Sequence, residues 1–388
     1  MVLNKIIEEN KQYVIDLRRE FHMYPEVSWK EFRTVKRIKE ELDAMNISYV
    51  SLGELGILGT IEGKKKGKVV CLRADIDALS IEEKTDLPFQ SKHKGVMHAC
   101  GHDGHIAILL GVAKALSTQK DDLEGTVKLL FQPAEEDEFV GAPVMIEKGA
   151  LEGVDAIFGL HLMNNLCTGE IGLGEGTRFA SCDDFTIRVE GKGGHGSAPH
   201  EGVDTVVVGA AIITNLQTLV SREISPLEPA VVSMGTMQSG DRFNIIASKA
   251  ILTGTCRCFN PSLRDQLPEK IKRIAENTAK TFRATATLEY HKNISPLYND
   301  ENCFRIATKA AAEIVGVDNI VELPRAMSSD DFAEYTMKVP GLYAIIGAAG
   351  QDLSKAYPIH HEKFTIDEEA LEIGTKFLAG CVINFLEK

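Results

Sequence analysis

Three histidines, one cysteine and one aspartate fall within the eight residues His98–His105. Thiolate and imidazole groups bind zinc and the neighbouring late transition metals far better than they bind calcium or magnesium. Cys100 and His102 are two residues apart, so their side chains project to the same side of an extended segment. The two glycines of the segment allow the backbone to turn sharply between the candidate ligands. The spacing predicts a transition-metal site, and the alternative is a polar loop with a buried thiol.

Further carboxylates and a histidine stand at the ends of short apolar segments that are typical of buried strands. These segments are Lys68–Leu72, Gly125–Phe131, Ala156–Leu160 and Leu342–Ile346. Asp75 and Asp77 follow the first segment, Glu135 and Glu136 follow the second, and His161 ends the third. Helical patterns alternate with these strands, which predicts an α/β fold with a mostly parallel sheet. Because ligands bind outside the carboxyl ends of such strands, we expect these side chains to lie close together.

Near the N-terminus, the apolar spacing predicts one helix over Ile6–Glu20 and a second over Thr34–Met45. Phe21–Glu26 is expected to interrupt them. His22, within that interruption, is interpreted as a helix-end or packing residue.

The middle of the chain shows a different order of elements. From Asp183 to His291 the patterns predict strand, helix, strand, strand, helix and strand. This is the β-α-β-β-α-β order of a small ferredoxin-like unit, which is a complete fold in itself. We therefore predict an inserted domain at residues 183–292 and a discontinuous metal-binding domain made of residues 1–182 and 293–388. The length of 388 residues agrees with two domains.

The composition restricts the class of partner. A formal net charge of -13 argues against nucleic acid and against an anionic membrane surface. The sequence lacks an 18-residue apolar run, and its charged N-terminus is unlike a signal peptide. Its eight cysteines show no disulfide-framework spacing, so reduced thiols in a cytoplasmic protein are expected.

Taken together, the motifs resemble the metal-dependent aminoacylase and carboxypeptidase superfamily. The branch most similar contains N-acyl-amino-acid amidohydrolases, hippurate hydrolases and auxin-conjugate hydrolases. The resemblance covers nearly the whole chain through residues 73–79, 98–105, 132–136, 193–195 with 199–200, and 329–332. It implies a metallopeptidase-like catalytic domain, a lid or dimerisation role for the inserted ferredoxin-like α+β domain, and a homodimer or homotetramer.

The same resemblance implies two divalent metal ions of the Zn, Mn, Co or Ni type. Their implied ligands are Cys100, His102, Glu136, His161 and His360. A thiolate at Cys100 could bridge both ions. His360 is favoured over His361 because the family ligand directly follows a Pro-apolar pair, here Pro358-Ile359.

Glu135 is the implied catalytic base. One carboxylate must neutralise metal, and the other must be free to accept the proton of water. Neighbouring residues of a regular strand face opposite ways, so the backbone must leave the strand before Glu135, and Pro133 makes this plausible. His105, Asp75, Asp77 and Asp331 are candidates for orienting the ligands.

Three residues of the inserted domain complete the expected site. His195 matches the family histidine that reaches the substrate carbonyl, often from the neighbouring subunit. Asn244 and Arg257 match the residues that hold the substrate carboxylate. Arginine suits this task because its planar fork can bind a carboxylate through two bonds.

The implied ligands, base and substrate-binding residues together predict a two-metal hydrolase that removes the acyl group from N-acyl-L-amino acids. A metal-dependent carboxypeptidase or dipeptidase is an alternative with the same centre. A hydrolase with Cys100 as nucleophile is a second alternative, and it leaves the carboxylates at the strand ends without a role. A non-catalytic metal- or peptide-binding protein is a third, and it predicts bound metal with a dispensable Glu135.

Overall fold

The computed structural model describes residues 2–387. Its α-helices are α1 Val2–Glu9, α2 Lys11–Met23, α3 Phe32–Ala44, α4 His102–Ser117, α5 Gly141–Glu147, α6 Thr205–Thr218, α7 Pro261–Thr281, α8 Glu301–Val315, α9 Phe332–Thr336 and α10 Glu369–Leu386.

The strands alternate with these helices along most of the chain. They are β1 Ser48–Leu52, β2 Gly56–Glu62, β3 Lys65–Asp75, β4 Glu124–Gln132, β5 Ala156–Met163, β6 Ile171–Leu173, β7 Gly176–Phe179, β8 Cys182–Glu190, β9 Gly194–His195, β10 Ala230–Ser239, β11 Ile245–Ile246, β12 Lys249–Cys258, β13 Thr285–Ile294, β14 Leu297–Asn299, β15 Ile320–Glu322 and β16 Gly341–Gly347.

The chain divides into two compact units. The larger unit consists of Met1–Gly176, Tyr298–Pro324 and Glu334–Lys388, and the smaller unit consists of Thr177–Leu297 and Arg325–Ala333. The short segment Arg325–Ala333 thus groups with the smaller unit, whereas the sequence analysis placed it in the metal-binding domain.

An eight-stranded sheet forms the centre of the larger unit, in the order β1-β2-β4-β3-β5-β16-β6-β15. Its four central strands, β4, β3, β5 and β16, are parallel to their neighbours within this group. Seven of the eight residues of β5 and all seven of β16 are buried, as expected for strands covered on both faces. The prediction of an α/β fold with a mostly parallel sheet is confirmed.

The helix α4 lies in the core of the larger unit. Its residues from His102 to Ala113 are all buried, which is the pattern of a helix that is apolar on every side. It packs against α2, α10 and the strand β3. The core therefore fixes the position of His102 at the first turn of α4.

In the smaller unit, a four-stranded sheet has the order β10-β12-β8-β13, with all neighbours antiparallel. Burial alternates along β8, as in a sheet with one covered face. The helices α6 and α7 supply the apolar residues that meet this face, including Ile212 and Leu267. The order of elements is the β-α-β-β-α-β order expected from the sequence.

By length and composition alone, Thr205–Glu223 could cross a membrane. In the structure, this segment places Val208, Ile212 and Leu216 in the core of the smaller unit. Such burial is equally typical of a core helix in a globular protein.

The first helix differs from the prediction. Two helices, α1 and α2, replace the unbroken helix predicted over Ile6–Glu20, and they meet at Asn10. The Asn10 side chain donates a hydrogen bond to the Ile6 carbonyl at 2.8 Å, and this oxygen also accepts the Asn10 N–H at 3.1 Å. The helix α2 then continues to Met23, so the expected interruption at Phe21 was also wrong and His22 is helical.

Candidate metal centre

The turn into α4 places two candidate ligands side by side. Gly101 has φ +90°, a left-handed conformation that glycine adopts without a steric penalty. Cys100 precedes this turn and His102 follows it as the first residue of α4. Both side chains are buried.

All five predicted ligands come together in two sets of three. In each set the donor atoms lie within 4.8 Å of one another, and the sets are Cys100-His102-His161 and Cys100-Glu136-His360. The Cys100 sulfur is 3.4 Å from the His161 Nε2 atom, and the His360 Nε2 atom is 3.0 Å from Glu136 Oε1. Cys100 belongs to both sets, which is the arrangement that a bridging thiolate requires.

Two of the histidines already have their other ring nitrogen engaged. The His102 Nδ1 atom donates to the Asp77 carbonyl at 2.9 Å, and the His161 Nδ1 atom donates to the Leu162 carbonyl at 2.9 Å. Because a carbonyl can only accept, Nε2 is the atom left for a ligand in both rings. The His102 Nε2 atom is buried without a hydrogen-bond partner. These rings are oriented as metal-binding histidines are.

Burial opposes charge on both rings, with different outcomes. Burial and the neighbouring His105 hold the pKa of His161 well below its usual value, so this imidazole is neutral. For His102, burial is outweighed by the Asp75 carboxylate and Cys100, so its pKa is raised well above the usual value. A cation bound at His102 would displace that proton.

His105 supports the centre without being available as a ligand. Its Nε2 atom accepts the Leu162 N–H at 3.0 Å, so its Nδ1 atom carries the proton and donates to Asp75 Oδ1 at 2.6 Å. Burial raises the pKa of Asp75, but Arg73 and the two histidines outweigh it and hold that pKa well below its usual value. Asp75 is therefore an anion that orients His105.

The Cys100 thiol is unsuited to nucleophilic chemistry by itself. Burial, reinforced by the Glu136 carboxylate, raises the pKa of Cys100 well above its usual value. A nucleophilic cysteine needs a lowered pKa, whereas a bound metal ion deprotonates a coordinating thiol. The environment of Cys100 thus favours a metal ligand over the nucleophile of the alternative hypothesis.

The backbone leaves the sheet before the two glutamates, as expected. The strand β4 ends at Gln132, and Ala134 has φ +56°. The donor atoms of His102, Glu135 and Glu136 lie within 4.8 Å of one another, so both carboxylates reach the centre. The Glu136 N–H donates to Asp77 Oδ2 at 3.0 Å, which gives Asp77 a role in holding this loop as well as His102.

The structure distinguishes His360 from His361 by their contacts. The His360 N–H donates to the Ala99 carbonyl at 2.8 Å, next to Cys100, and the His360 backbone has φ +63°. The His361 ring stacks on Tyr357 with centroids 4.6 Å apart, and its Nδ1 atom accepts the Lys363 N–H at 3.0 Å. Of these two histidines, only His360 belongs to a donor set found among residues 2–387.

The donor set fits a pair of transition-metal ions. It combines one sulfur, three imidazole nitrogens and a carboxylate, and the buried His102 Nε2 atom has no hydrogen-bond partner among the described residues. Such ligands suit zinc, manganese, cobalt or nickel.

In the smaller unit, His195 and Asn244 are neighbours. The strand β9 pairs with β11 so that His195 faces Ile245, and the Gly196 N–H donates to the Asn244 carbonyl at 2.9 Å. The His195 Nδ1 atom accepts the Ser197 N–H at 3.1 Å, so the proton of a neutral ring is on Nε2. His195 is exposed and can donate from that atom to a substrate.

Arg257 lies elsewhere in the smaller unit. It is eight residues along β12 from Lys249, which corresponds to about 26 Å at the usual rise of a strand. Its guanidinium donates to Thr255 Oγ1 at 2.7 Å. The structure therefore brings His195 and Asn244 together, whereas the hydrogen bonds described for Arg257 go to residues of its own strand. Asp331 is fully buried in the smaller unit.

Sequence reasoning missed several groups that hold the centre. Ser28 donates to Asp77 Oδ2 at 2.7 Å, and Glu31 Oε1 accepts the Ala134 N–H at 2.9 Å. Asp103, His22 and Arg18 form a buried cluster behind the first turn of α4. The position of Asp103 directly after a candidate ligand was the one sequence signal that pointed to this cluster.

Comparisons with known proteins agree with this geometry. The sequence pattern of "Peptidase family M20/M25/M40" matches residues 71–384. An N-acetylcysteine deacetylase of Bacillus subtilis is 39% identical, with 96% of this chain and 97% of that protein covered. Thermostable carboxypeptidase 1 of Saccharolobus solfataricus is 36% identical, with 100% and 98% covered.

A solved structure shows the same fold over its full length. The YXEP protein of Bacillus subtilis, described as a dinuclear metal-binding peptidase from the M20 family, superposes with a TM-score of 0.87 at 36% identity. The match covers 98% of this chain and 99% of that one. The chain therefore belongs to the peptidase family M20/M25/M40 and is a hydrolase of amide bonds.

Proposed function

We propose that the protein hydrolyses N-acyl-L-amino acids to an amino acid and a carboxylic acid, with two divalent metal ions as cofactors. The observation that carries the proposal is the pair of donor sets that share Cys100, with the Glu135 carboxylate beside them and outside both sets. A relative at 39% identity is named for deacetylation of N-acetylcysteine, which is a substrate of this class.

The proposed ligands are Cys100, His102, Glu136, His161 and His360. When bound there, zinc, manganese, cobalt or nickel ions would supply Lewis acidity to the substrate carbonyl and to the attacking water. The side chains neutralise charge, hold the ligands in position and transfer the proton. Glu136 neutralises positive charge, while Asp77 fixes its backbone N–H and the His102 ring.

Glu135 is the proposed general base and acid. Its carboxylate accepts a proton from the attacking water, and it then delivers that proton to the nitrogen of the leaving amino acid. His195, whose Nε2 atom carries the proton, donates a hydrogen bond to the oxygen that becomes negative in the transition state. Arg257 and Asn244 are proposed to bind the substrate carboxylate.

The positions of these three residues support a homodimer or homotetramer formed through residues 183–292, the proposed lid or dimerisation domain. His195 and Asn244 are neighbours at the β9–β11 pair, whereas Arg257 is on β12 of the four-stranded sheet, about 26 Å along that strand from Lys249. We propose that His195 and Asn244 serve the catalytic centre of a second copy of the chain. A net charge of -13 and eight free thiols support a cytoplasmic protein whose partners are small molecules rather than nucleic acid or membranes.

The first test measures substrate and metal together. Protein purified without chelator should hydrolyse N-acetyl- or N-benzoyl-amino acids and contain divalent metal by elemental analysis. Removal of the metal with a chelator should abolish turnover, because neither the thiol nor Glu135 can polarise the amide alone. Addition of manganese, zinc, cobalt or nickel should restore it.

The same screen includes dipeptides, because a relative at 36% identity is named as a carboxypeptidase. Turnover of dipeptides alone would replace the N-acyl-amino-acid proposal with a peptidase. Full activity in metal-free protein would contradict the whole mechanism.

Carboxylate recognition is tested separately with Arg257→Ala. The variant should raise the KM for an N-acyl amino acid by about tenfold or more, since a charged hydrogen-bonded pair is lost. An analogue whose carboxylate is amidated should be affected little. Equal losses for both substrates would assign carboxylate recognition to another residue, and Arg188→Ala on an exposed strand position is the matched control.

A further inference from the structure

The segment Ser28–Glu31, here called the support segment, contacts the loop that carries both glutamates at two points and reaches a third point through Asp77. Ser28 Oγ donates to Asp77 Oδ2, which itself accepts the Glu136 N–H. The Trp29 Nε1 atom donates to the Phe139 carbonyl at 3.0 Å. Glu31 Oε1 accepts the Ala134 N–H at 2.9 Å. The support segment therefore holds the beginning, the middle and the end of this loop.

Ala134 is the residue of the loop that most needs such support. Its φ of +56° lies in the left-handed region, which is unfavourable for a residue with a Cβ atom. Its carbonyl accepts the Gly141 N–H at 2.8 Å, which closes the loop. A Cβ atom at Gly141 would lie 1.8 Å from the Pro133 carbonyl oxygen, so the closure is tight. With its N–H held by Glu31, both peptide groups of Ala134 are fixed directly before Glu135.

Glu31 has no competing task in capping the helix that it precedes. It occupies the N-cap position of α3, but its side chain makes no capping hydrogen bond there. The Glu26 carboxylate accepts the N–H groups of Arg33 and Thr34 in the first turn, at 3.0 and 2.8 Å. The Glu31 side chain is turned toward Ala134 instead.

The environment of Glu31 is costly for a carboxylate. The side chain is fully buried, and burial together with the nearby Asp77 carboxylate raises the pKa of Glu31 to about 7. Backbone N–H groups, including that of Ala134, offset this only in part. A buried acid kept in this position indicates a local function rather than a contribution to folding.

We infer that Glu31 is a positioning residue, which holds the strained Ala134 turn so that Glu135 faces the attacking water. The inference rests on the proposed function of Glu135 as the catalytic base. Misplacement of a catalytic group by about 1 Å can cost about 100-fold in rate, so the bond from Ala134 to Glu31 has a measurable effect on turnover.

Two substitutions separate the effect of the length of the Glu31 side chain from the effect of its charge. Glu31→Gln keeps the length and the accepting oxygen, so its kcat should stay within about twofold of wild type. Glu31→Asp keeps the charge but is one methylene shorter, so it cannot reach the Ala134 N–H. Its kcat should fall by about tenfold or more, with KM and metal content unchanged. Glu138→Asp, at an exposed position of the same loop, is the matched control.

Hydrogen–deuterium exchange gives a readout that does not depend on activity. The Ala134 amide should exchange faster in Glu31→Asp than in wild type or Glu31→Gln. Equal exchange in all three proteins, unchanged turnover in Glu31→Asp, or an equal loss in both variants would overturn the inference. If wild type does not hydrolyse N-acyl amino acids, the proposed function fails, while the exchange measurement still decides whether Glu31 holds the loop.

Discussion

Glu135→Gln should lower kcat on an N-acyl amino acid by about 100-fold or more, with metal content unchanged. The glutamine has the size of glutamate but cannot accept the proton of water. Glu135 lies outside both donor sets that share Cys100, so its neutralisation should leave the ligands in place. Steady-state kinetics and elemental analysis of the same preparations measure the two quantities.

Two further variants serve as controls for this result. Glu138→Gln removes a charge from an exposed residue of the same loop and should keep wild-type turnover. Glu136→Gln alters a proposed ligand and should lose metal together with activity. A wild-type kcat in Glu135→Gln would show that another residue accepts the proton of water. Loss of metal in that variant would instead make Glu135 a ligand.

Arg18→Met should lower the free energy of unfolding by about 3–5 kcal/mol. Arg18 Nε donates to Asp103 Oδ2 at 2.8 Å, and both side chains are only 1% exposed. The His22 Nδ1 atom contacts the same carboxylate oxygen at 2.8 Å. Burial disfavours the Asp103 anion, but Arg18 and His22 outweigh it and hold the pKa of Asp103 well below its usual value. Without the arginine, this anion is left buried with a single partner.

The measurement is urea unfolding followed by tryptophan fluorescence. Trp29 is the only tryptophan in the sequence, and it lies in the same unit as Arg18. The control is Arg305→Met in the same unit, since Arg305 pairs with Glu301 at 3.8 Å with both side chains more than half exposed. That pair should contribute less than about 1 kcal/mol. Equal losses in the two variants would show that the buried cluster contributes no more than a surface pair.

Strand ends and ligand chemistry are local properties, so the residues alone predicted that the groups at the strand ends lie close together. The place of His360 among the ligands came from the family resemblance instead. Asp75 ends β3, and the glutamates follow β4 within four residues, as the apolar segments predict. His161 lies inside β5 rather than at its end, because pairing with β16 continues to Met163. His161 still lies beside Cys100, because α4 and β5 pack in one core.

What the sequence could not predict are the groups that depend on tertiary contact. Alanine is not a residue type that signals a positive φ, yet Ala134 adopts one. Glu31 precedes α3 as an ordinary polar residue, and only the fold shows that it reaches Ala134 across 103 positions of sequence. The helix break occurs at Asn10, whose side chain bonds the Ile6 carbonyl, and apolar periodicity does not record such a bond.

The order of the proposed ligands along the chain has a consequence for biosynthesis. Four of them precede residue 162, whereas His360 follows the whole smaller unit and the strand β16. The strand β16 must also be made before it can pair with β5, which carries His161. A nascent chain can fold the smaller unit before β16 and His360 have been synthesised. The complete donor set therefore exists only after the smaller unit and β16 have been synthesised, and loading of both ions would follow that point.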